Sequence, residues 1–335
     1  MALAVLPEQL TADSPLWAWA YDAISHRGEG MLEHLEGVRL GEDIEAVHDM
    51  RVGSRRLVAA MRVFRQCFPG PEYRLLLREA RRVTSRLGQV RDLDVLIDHY
   101  QRLRPEATPG EHVGIDYFIA IQGLERRKVR RPMLVAMSEL EKSDFPARLR
   151  KFLRHEAEAY SVGLGPPTGA AAGGVNCGGG FRTAAPVVLE ERYHAFYAFE
   201  PYVHQADAVE ELHEMRIAAK WLRYTMELFA PAYGDELKRT LATVKKFQEL
   251  LGDLHDSDIR REILKAMLDA PLDARGLEAV KLLTPDPVTE SLRRLQAREE
   301  RERRGCYKAF YKEWKRQETD DFAAACLKRI RRPDA

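Results

Sequence analysis

His48-Asp-Met-Arg-Val-Gly-Ser-Arg-Arg-Leu57 recurs without gaps as His213-Glu-Met-Arg-Ile-Ala-Ala-Lys-Trp-Leu222 in the second half of the chain. A second motif follows each copy. Leu87-Gly-Gln-Val-Arg-Asp-Leu-Asp94 aligns with Leu251-Gly-Asp-Leu-His-Asp-Ser-Asp258, with only one residue deleted between the registers of the two motifs. Two different motifs that recur in one order, at nearly one separation, indicate the internal duplication of one structural unit.

Helical spacing gives each copy of the first motif a cationic side and an apolar side. At about 100° per residue, the first copy places four cations within about 60° of arc: His48, Arg51, Arg55 and Arg62. The second copy groups His213, Arg216, Lys220 and Arg223, and it has Glu227 where the first has Arg62. The opposite sides are predicted to be buried: Met50, Leu57, Met61 and Phe64, and Met215, Leu222, Met226 and Phe229.

A further predicted helix, after Pro71, adds a second basic face to each half. Its cations are Arg74, Arg78, Arg81 and Arg82 in the first half, and Lys238, Lys245 and Lys246 in the second. From residue 48 to 91 there are eleven arginines and three acids, whereas from 213 to 255 there are seven basic residues and six acids. The sequence therefore predicts a polyanion site whose first half is the more basic.

The composition favours a compact all-α protein. Of the 335 residues, 45% are hydrophobic and 31% are charged, and the apolar residues recur at helical rather than alternating spacing. Eight of the twenty residues from 161 to 180 are glycine. We therefore expect a first helical bundle at 1–160, a linker rich in glycine, proline and alanine at 161–185, and a second helical bundle at 186–335.

Several classes of protein are disfavoured by what the sequence lacks. Its N-terminus has no basic segment followed by an apolar one, and no apolar run has membrane-spanning length. The four cysteines form no CxxC pair, so we expect no zinc site, no disulfide framework and a reducing cytoplasm around the protein. A net charge of +1 argues against a wholly basic nucleic-acid coat. No cofactor or metal is predicted.

Rows of arginine and lysine at helical-turn spacing suit a ligand with repeated negative charge. Guanidinium groups bind phosphate oxygens in pairs, and ammonium groups act as point charges. The histidine at the head of each row, with an ordinary pKa of about 6.5, is expected to protonate when anions pack against it. The alternative for any one row is a solvated helix face, but such faces normally mix both signs of charge, and the first-half rows hold few acids.

Two features of the motifs can each be interpreted in two ways. In the Leu-Gly motifs, glycine is expected to end one helix while Asp92 or Asp256 caps the next. Alternatively, Asp92 anchors a motif arginine across the bundle. Trp221 and Tyr224 fit a role in packing as well as they fit contact with the ligand.

Two rival functions use other features of the same sequence. Glu45 with His48 and Glu210 with His213 repeat a spacing found in di-iron helical bundles, so a metal-dependent enzyme is one alternative. Against it, each histidine shares its face with cations that repel a metal ion. A nucleic-acid-binding protein is the other alternative, favoured by the arginines between 293 and 304. The glutamates interleaved there, at 299, 300 and 302, predict a solvated helix instead.

The paired motifs resemble those of the CHAD family, the conserved histidine α-helical domain, over nearly the whole chain. This resemblance implies two four-helix-type bundles related by an approximate two-fold axis. It also implies non-catalytic binding of inorganic polyphosphate in a central basic channel, and hence a location at polyphosphate granules. The positions carried over are His48, Arg51, Arg55 and Arg56, and His213, Arg216, Lys220 and Arg223. Family members often accompany a triphosphate-hydrolysing domain with a Glu-x-Glu-x-Lys strand, which is not found here, so the chain is similar to a stand-alone member.

Overall fold

The computed structural model describes residues 9–40, 44–164, 175–282 and 284–333, and within these ranges the chain is all-helical with no β-strand. The prediction of an all-α fold is confirmed. The helices are α1 (Leu16–Leu32), α2 (Leu35–Leu40), α3 (Ile44–Val63), α4 (Pro71–Leu103), α5 (Pro109–Lys142), α6 (Phe145–Ser161), α7 (Phe181–Tyr197), α8 (Val209–Phe229), α9 (Lys238–Asp269), α10 (Ala274–Ala279), α11 (Asp286–Thr319) and α12 (Phe322–Ile330).

The order of the main helices recurs in the two halves of the chain, and four of the five pairs have nearly equal lengths. Helices α3 and α8 begin at equivalent positions of the repeat, and α5 and α11 each have 34 residues. Each of these long helices is followed by an aspartate in the left-handed conformation, Asp144 with φ 49° and Asp321 with φ 51°. Each aspartate immediately precedes a short terminal helix, α6 or α12. This recurrence is what an internal duplication of the sequence predicts.

Local sequence signals explain where the long helices begin. Pro71 occupies the first position of α4, where its missing N–H costs no hydrogen bond. A capping box begins α5, since the backbone N–H and the hydroxyl of Thr108 both donate to Glu111 at 2.8 Å. At the crossing of α5 and α11, Gly114 lets the backbones approach, and its N–H donates to the Ser291 hydroxyl at 2.8 Å.

The hydrophobic core joins the halves instead of dividing between them. The larger cluster of buried side chains runs from Leu16 in α1 to Ile330 in α12, and it includes the contact of the Phe64 and Phe229 rings across α3 and α8. A smaller cluster packs Tyr100 and Phe118 of the first half against Leu292 of the second. The linker therefore divides the sequence but not the packed interior.

The predicted linker, 161–185, is only partly visible, because residues 165–174 lie outside the described ranges. Its last five residues are helical, since α7 begins at Phe181. The stretch just before α7 is also fixed. The backbone N–H of Leu16 donates to Gly179, that of Trp17 donates to Cys177, and that of Phe181 donates to Ser14. The start of α1 thus holds the start of α7, which brings the two N-terminal helices of the repeats together.

Two cysteines that are distant in sequence meet in the core. The Sγ atoms of Cys67 and Cys177 lie 2.8 Å apart as free thiols, and the Tyr160 hydroxyl donates to the carbonyl of Cys67 at 2.7 Å. The wide spacing of the cysteines in the sequence gave no sign of this contact. Separately, none of the described helices combines the length and the apolarity needed to cross a bilayer.

Candidate functional site

Helices α3 and α8 pack against each other at the centre of the molecule, and their apolar sides face the core as predicted. Met50, Leu57 and Met61 of α3 are fully buried. So are their counterparts in the second half, Met215, Leu222 and Met226. Because these residues fix how each helix is rotated, the cationic sides of both motifs turn away from the core toward a shared surface.

Five motif cations converge on this surface, and we call them the central cluster: Arg51, Arg55, Arg62, Arg216 and Lys220. The pKa of Lys220 falls from 10.5 to about 8. Burial is the largest cause, followed by the charges of Arg55, Arg216, Arg51 and Arg62. Among the described residues, no carboxylate lies within 4.0 Å of a cationic nitrogen of Arg55, Arg62, Arg216 or Lys220. The surface therefore holds positive charge that the protein leaves largely unneutralised.

The second motif supports this surface from α4 and α9. Asp92 on α4 accepts a hydrogen bond from Nη2 of Arg51 at 2.7 Å, so the predicted anchoring role of Asp92 is confirmed. In the second half, Asp256 is the acid that most favours the charged form of Arg216, while burial lowers the pKa of both arginines. The Asp92 carboxylate orients the Arg51 guanidinium, and the charges of the two carboxylates favour the charged forms of the two arginines.

The capping role that we expected for the Leu-Gly motifs is wrong, because α4 and α9 run unbroken through them. The glycines instead leave room for the arginines. A Cβ on Gly88 would meet Nε of Arg51 at 3.6 Å, and a Cβ on Gly252 would meet Nε of Arg216 at 3.8 Å. A larger side chain at either position would displace the neighbouring guanidinium group.

Two aromatic residues of α8, in and just after the second copy of the first motif, contribute to the site as well as to packing. The guanidinium carbon of Arg55 lies 5.9 Å from the centre of the Tyr224 ring, and that of Arg223 lies 4.8 Å from it. The guanidinium carbon of Arg62 lies 5.0 Å from the centre of the Trp221 ring. Such cation–π contacts hold arginines in place without neutralising their charge. Trp221 and Tyr224 therefore position cations across the contact of α3 and α8.

The histidines of the two halves differ in their surroundings. Nδ1 of His213 lies 2.9 Å from Nδ1 of His255 on α9. The pKa of His255 falls to about 4, chiefly through burial and then through the charges of Arg216, His213 and Lys220. In the first half the position of His255 is taken by Arg91, and His48 is half-buried. The sequence pattern did not identify His255 as part of the site.

Other predicted ligand residues lie away from the central cluster. Arg74 lines a hollow with Arg62, and Arg81 is close enough to Arg62 to lower its pKa. Arg56 lines a different hollow near α1. Arg78 and Arg82 lie beside α5, where Arg82 pairs with Glu139.

The second-half lysines on α9 and the last cation of α8 have acidic neighbours. Lys238 pairs with Asp235 at 2.7 Å, and Lys245 pairs with Glu249 at 3.8 Å. Lys246 is near Asp253 and Glu313, whose carboxyl pKa values its charge lowers. Arg223 pairs with Glu227 at 3.2 Å. Several predicted cations of the second half are thus paired with acids, as expected from the larger number of acids in this half.

Buried ion pairs that sequence reasoning missed hold the long helices together. Arg126 on α5 donates to Asp94 on α4, and Arg303 on α11 donates to Asp258 on α9 at 2.6 Å. The signal was present, since Asp94 and Asp258 are aligned in the second motif. Arg303 was interpreted as part of a solvated helix, which is wrong for this residue, because its side chain is 6% exposed.

The same segment of α11 contains a buried glutamate that faces α4 and α9. Glu299 is fully buried, accepts from Tyr100 and Arg260 at 2.9 Å each, and lies 3.6 Å from Nε2 of His99. Within the described ranges, metal-type ligands come together in a group of three at His99, Glu299 and Glu302. Arg260 already contacts both glutamates there. The Glu45/His48 and Glu210/His213 pairs of the metal-enzyme alternative are not part of this group.

The fold and the site together define an all-helical protein whose two central helices present a cluster of cations, of which Arg51 is paired with a carboxylate of the described residues. The CHAD domain model matches residues 22–265, which is most of the chain. The chain belongs to the CHAD domain family.

The chain is also similar to two longer proteins. It is 28% identical over 249 residues to two uncharacterized proteins of Mycobacterium tuberculosis, from strains CDC 1551 and H37Rv. The match covers 72% of this chain but 44% of each relative, so the chain spans about half the length of these proteins.

Two solved structures share the fold. The CHAD domain from the plant Ricinus communis superimposes with a TM-score of 0.63 at 20% identity, over 92% of this chain and 96% of that one. PptA from Streptomyces chartreusis gives a TM-score of 0.60 at 18% identity, over 90% of this chain and 100% of that one.

Proposed function

We propose that this chain binds inorganic polyphosphate without chemical turnover, through the central cluster. The observation that carries the proposal is the convergence of five cations from α3 and α8, four of which act after burial to lower the pKa of Lys220 to about 8. A protein that holds cations together at such an electrostatic cost gains free energy when a polyanion neutralises them. Membership of the CHAD family supports the same choice of ligand.

The geometry favours a chain of phosphates over a single compact anion. The cations lie along two helices at turn spacing, so several are available to a ligand that repeats its charge. In the described part of the chain, the central cluster includes no nucleophile activated by a base and no group of metal ligands, so we propose a binding role without hydrolysis. If the ligand is polyphosphate, the protein is expected in the cytoplasm at polyphosphate granules.

Fluorescence anisotropy with end-labelled long-chain polyphosphate tests the proposal. We expect affinity to fall steeply as salt concentration rises, because binding releases counterions. The double charge reversal Arg55→Glu with Lys220→Glu should weaken binding at least about a hundredfold, since each lost charge-assisted contact costs about 1.5–3 kcal/mol. Lys151→Glu with Arg154→Glu, on the exposed face of α6, changes the net charge by the same amount and should change affinity little.

Three further measurements separate this function from its rivals. Equal affinity for double-stranded DNA would favour a nucleic-acid-binding protein. Release of orthophosphate from polyphosphate by the purified protein would mean that the site is catalytic. Stoichiometric iron, manganese or zinc in the purified protein would favour the alternative of a metal-dependent enzyme. Unchanged affinity in the double charge-reversal variant would refute the assignment of the site.

A further inference from the structure

Two hollows flank the α3 and α8 pair, and their charges are opposite in sign. The basic hollow, of about 610 Å³, is lined by four arginines and one acid: Arg62, Arg65, Arg74, Arg192 and Glu191. The acidic hollow, of about 450 Å³, is lined by three acids, two arginines and two histidines: Glu33, Asp49, Glu227, Arg27, Arg56, His26 and His34. If the histidines are neutral, the ionised side chains give the basic hollow a net positive charge and the acidic hollow a net negative charge.

The repeat relates key residues of the two hollows, so the difference between them arose within one structural unit. Arg62 and Glu227 occupy equivalent positions when the first motif of each half is aligned, and so do Arg27 and Arg192. In the acidic hollow, Glu227 favours the charged form of Arg27 and also pairs with Arg223. Because Glu227 stands where the first half has Arg62, the charge is reversed at the point where the central cluster would continue into the acidic hollow.

The basic hollow continues the central cluster through Arg62. This residue contributes to the low pKa of Lys220, and it also lines the hollow beside Arg74. Its own pKa is lowered by burial and then by Arg81 and Arg192, and Arg192 lines the same hollow. Arg65 and Arg74 are exposed, and in the described part of the chain no carboxylate lies within 4.0 Å of their cationic nitrogens.

The start of α4 adds to the positive potential of the basic hollow. Gly70, the N-cap residue of this 33-residue helix, lies in the wall of the hollow and has no side chain with which to cap the free N–H groups. The N-terminus of a helix carries a partial positive charge and unpaired N–H donors that favour phosphate. Here it acts together with the four arginines.

On the basis of the proposed function, we propose that a bound polyphosphate chain leaves the central cluster in one direction only, through the basic hollow, and that Glu227 closes the equivalent exit. The ligand section that enters the basic hollow is a linear run of phosphates, contacted by Arg62, Arg65, Arg74 and Arg192. Arg56, which the family resemblance included among the ligand residues, lies at the closed exit.

A matched pair of charge reversals tests the direction. Arg74→Glu and Arg56→Glu both replace an exposed arginine and change the net charge equally. Measured by anisotropy with long-chain polyphosphate, Arg74→Glu should weaken binding about tenfold or more, because it removes a contact and introduces repulsion. Arg56→Glu should change affinity by about twofold or less, as surface substitutions away from a site do. Circular dichroism melting curves show whether each variant is folded.

A third variant tests directly whether Glu227 closes the exit. Glu227→Gln should tighten the binding of long chains, which can then extend in both directions, and leave the affinity for tripolyphosphate nearly unchanged. Equal losses in the Arg74 and Arg56 variants, while the central double variant fails to bind, would overturn the one-directional path and leave the proposed function intact. Normal binding by the central double variant would overturn the proposed function itself.

Discussion

Raising the pH from 7 to 9.5 should weaken polyphosphate binding through the titration of a single residue, Lys220. In the free protein its pKa is about 8, lowered by burial and by the neighbouring arginines. The side chain is therefore about nine-tenths protonated at pH 7 and almost wholly neutral at pH 9.5. A bound polyanion compensates the neighbouring charges and raises the pKa of Lys220 toward its ordinary 10.5.

The size of the effect follows from these two pKa values. If the bound-state pKa is 10.5, the dissociation constant rises about 30-fold between pH 7 and pH 9.5, because the complex retains a proton that the free protein has lost. The stability of the free protein changes in the opposite sense. Unfolded Lys220 binds its proton up to about pH 10.5, so the free energy of unfolding rises with pH between about 8 and 10.5.

Isothermal titration calorimetry in two buffers with different ionisation enthalpies measures both the affinity and the protons taken up. We expect the uptake of about one proton per bound site near pH 9 and almost none at pH 7. Lys220→Met removes the titrating group, so its affinity should be lower at pH 7 and should lack this pH dependence. In the absence of ligand, the same variant should be more stable at pH 7 by on the order of 2–3 kcal/mol. Wild-type affinity that is constant from pH 7 to 9.5 would refute the reasoning.

Three other substitutions or titrations test separate parts of the structure. Asp258→Ala should lower the free energy of unfolding in urea by about 3–5 kcal/mol, because it strands the buried guanidinium of Arg303, and a loss below about 1 kcal/mol would contradict this role. Gly88→Ala should be tolerated, since its Cβ would lie 3.6 Å from Arg51, whereas Gly88→Leu should weaken polyphosphate binding, and equal affinities would show that the space is not needed. In nuclear magnetic resonance titrations, His255 should protonate near pH 4 in the free protein and at a higher pH with ligand bound, and an ordinary pKa without ligand would count against its placement.

The helices and the centre of the site could be predicted because they depend on local periodicity. Met50 and Leu57 recur on the side of α3 opposite Arg51, and this spacing alone separates a buried face from a cationic one. The alignment of Arg55 with Lys220 then places equivalent cations on two equivalent helices. Packing of those helices against each other brings the cations together, as a duplicated motif leads one to expect.

Other features depend on contacts between distant segments, which local patterns do not encode. Leu-Gly before an aspartate has the composition of a helix end, yet α4 continues through Gly88. The Arg51 side chain from α3 packs in the space beside this glycine. The charged run around Arg303 has the composition of a solvated face, yet α11 crosses α9 there and buries the guanidinium against Asp258. In both cases a tertiary partner overrides the local preference.

The aligned motifs of α3 and α8 tolerate substitution to different degrees on their two surfaces, which is consistent with the unequal charges of the two halves of the site. A substitution in the shared core, such as at Phe64 or Phe229, leaves a cavity or a clash and costs several kcal/mol, so the core side stays matched in the two halves. A substitution on the outward side costs little stability. The exchange of Arg62 for Glu227 therefore left the packing of the repeats unchanged while reversing the charge at one exit of the cluster. On the proposed path, this one difference in charge would make two otherwise equivalent exits unequal for a linear polyanion.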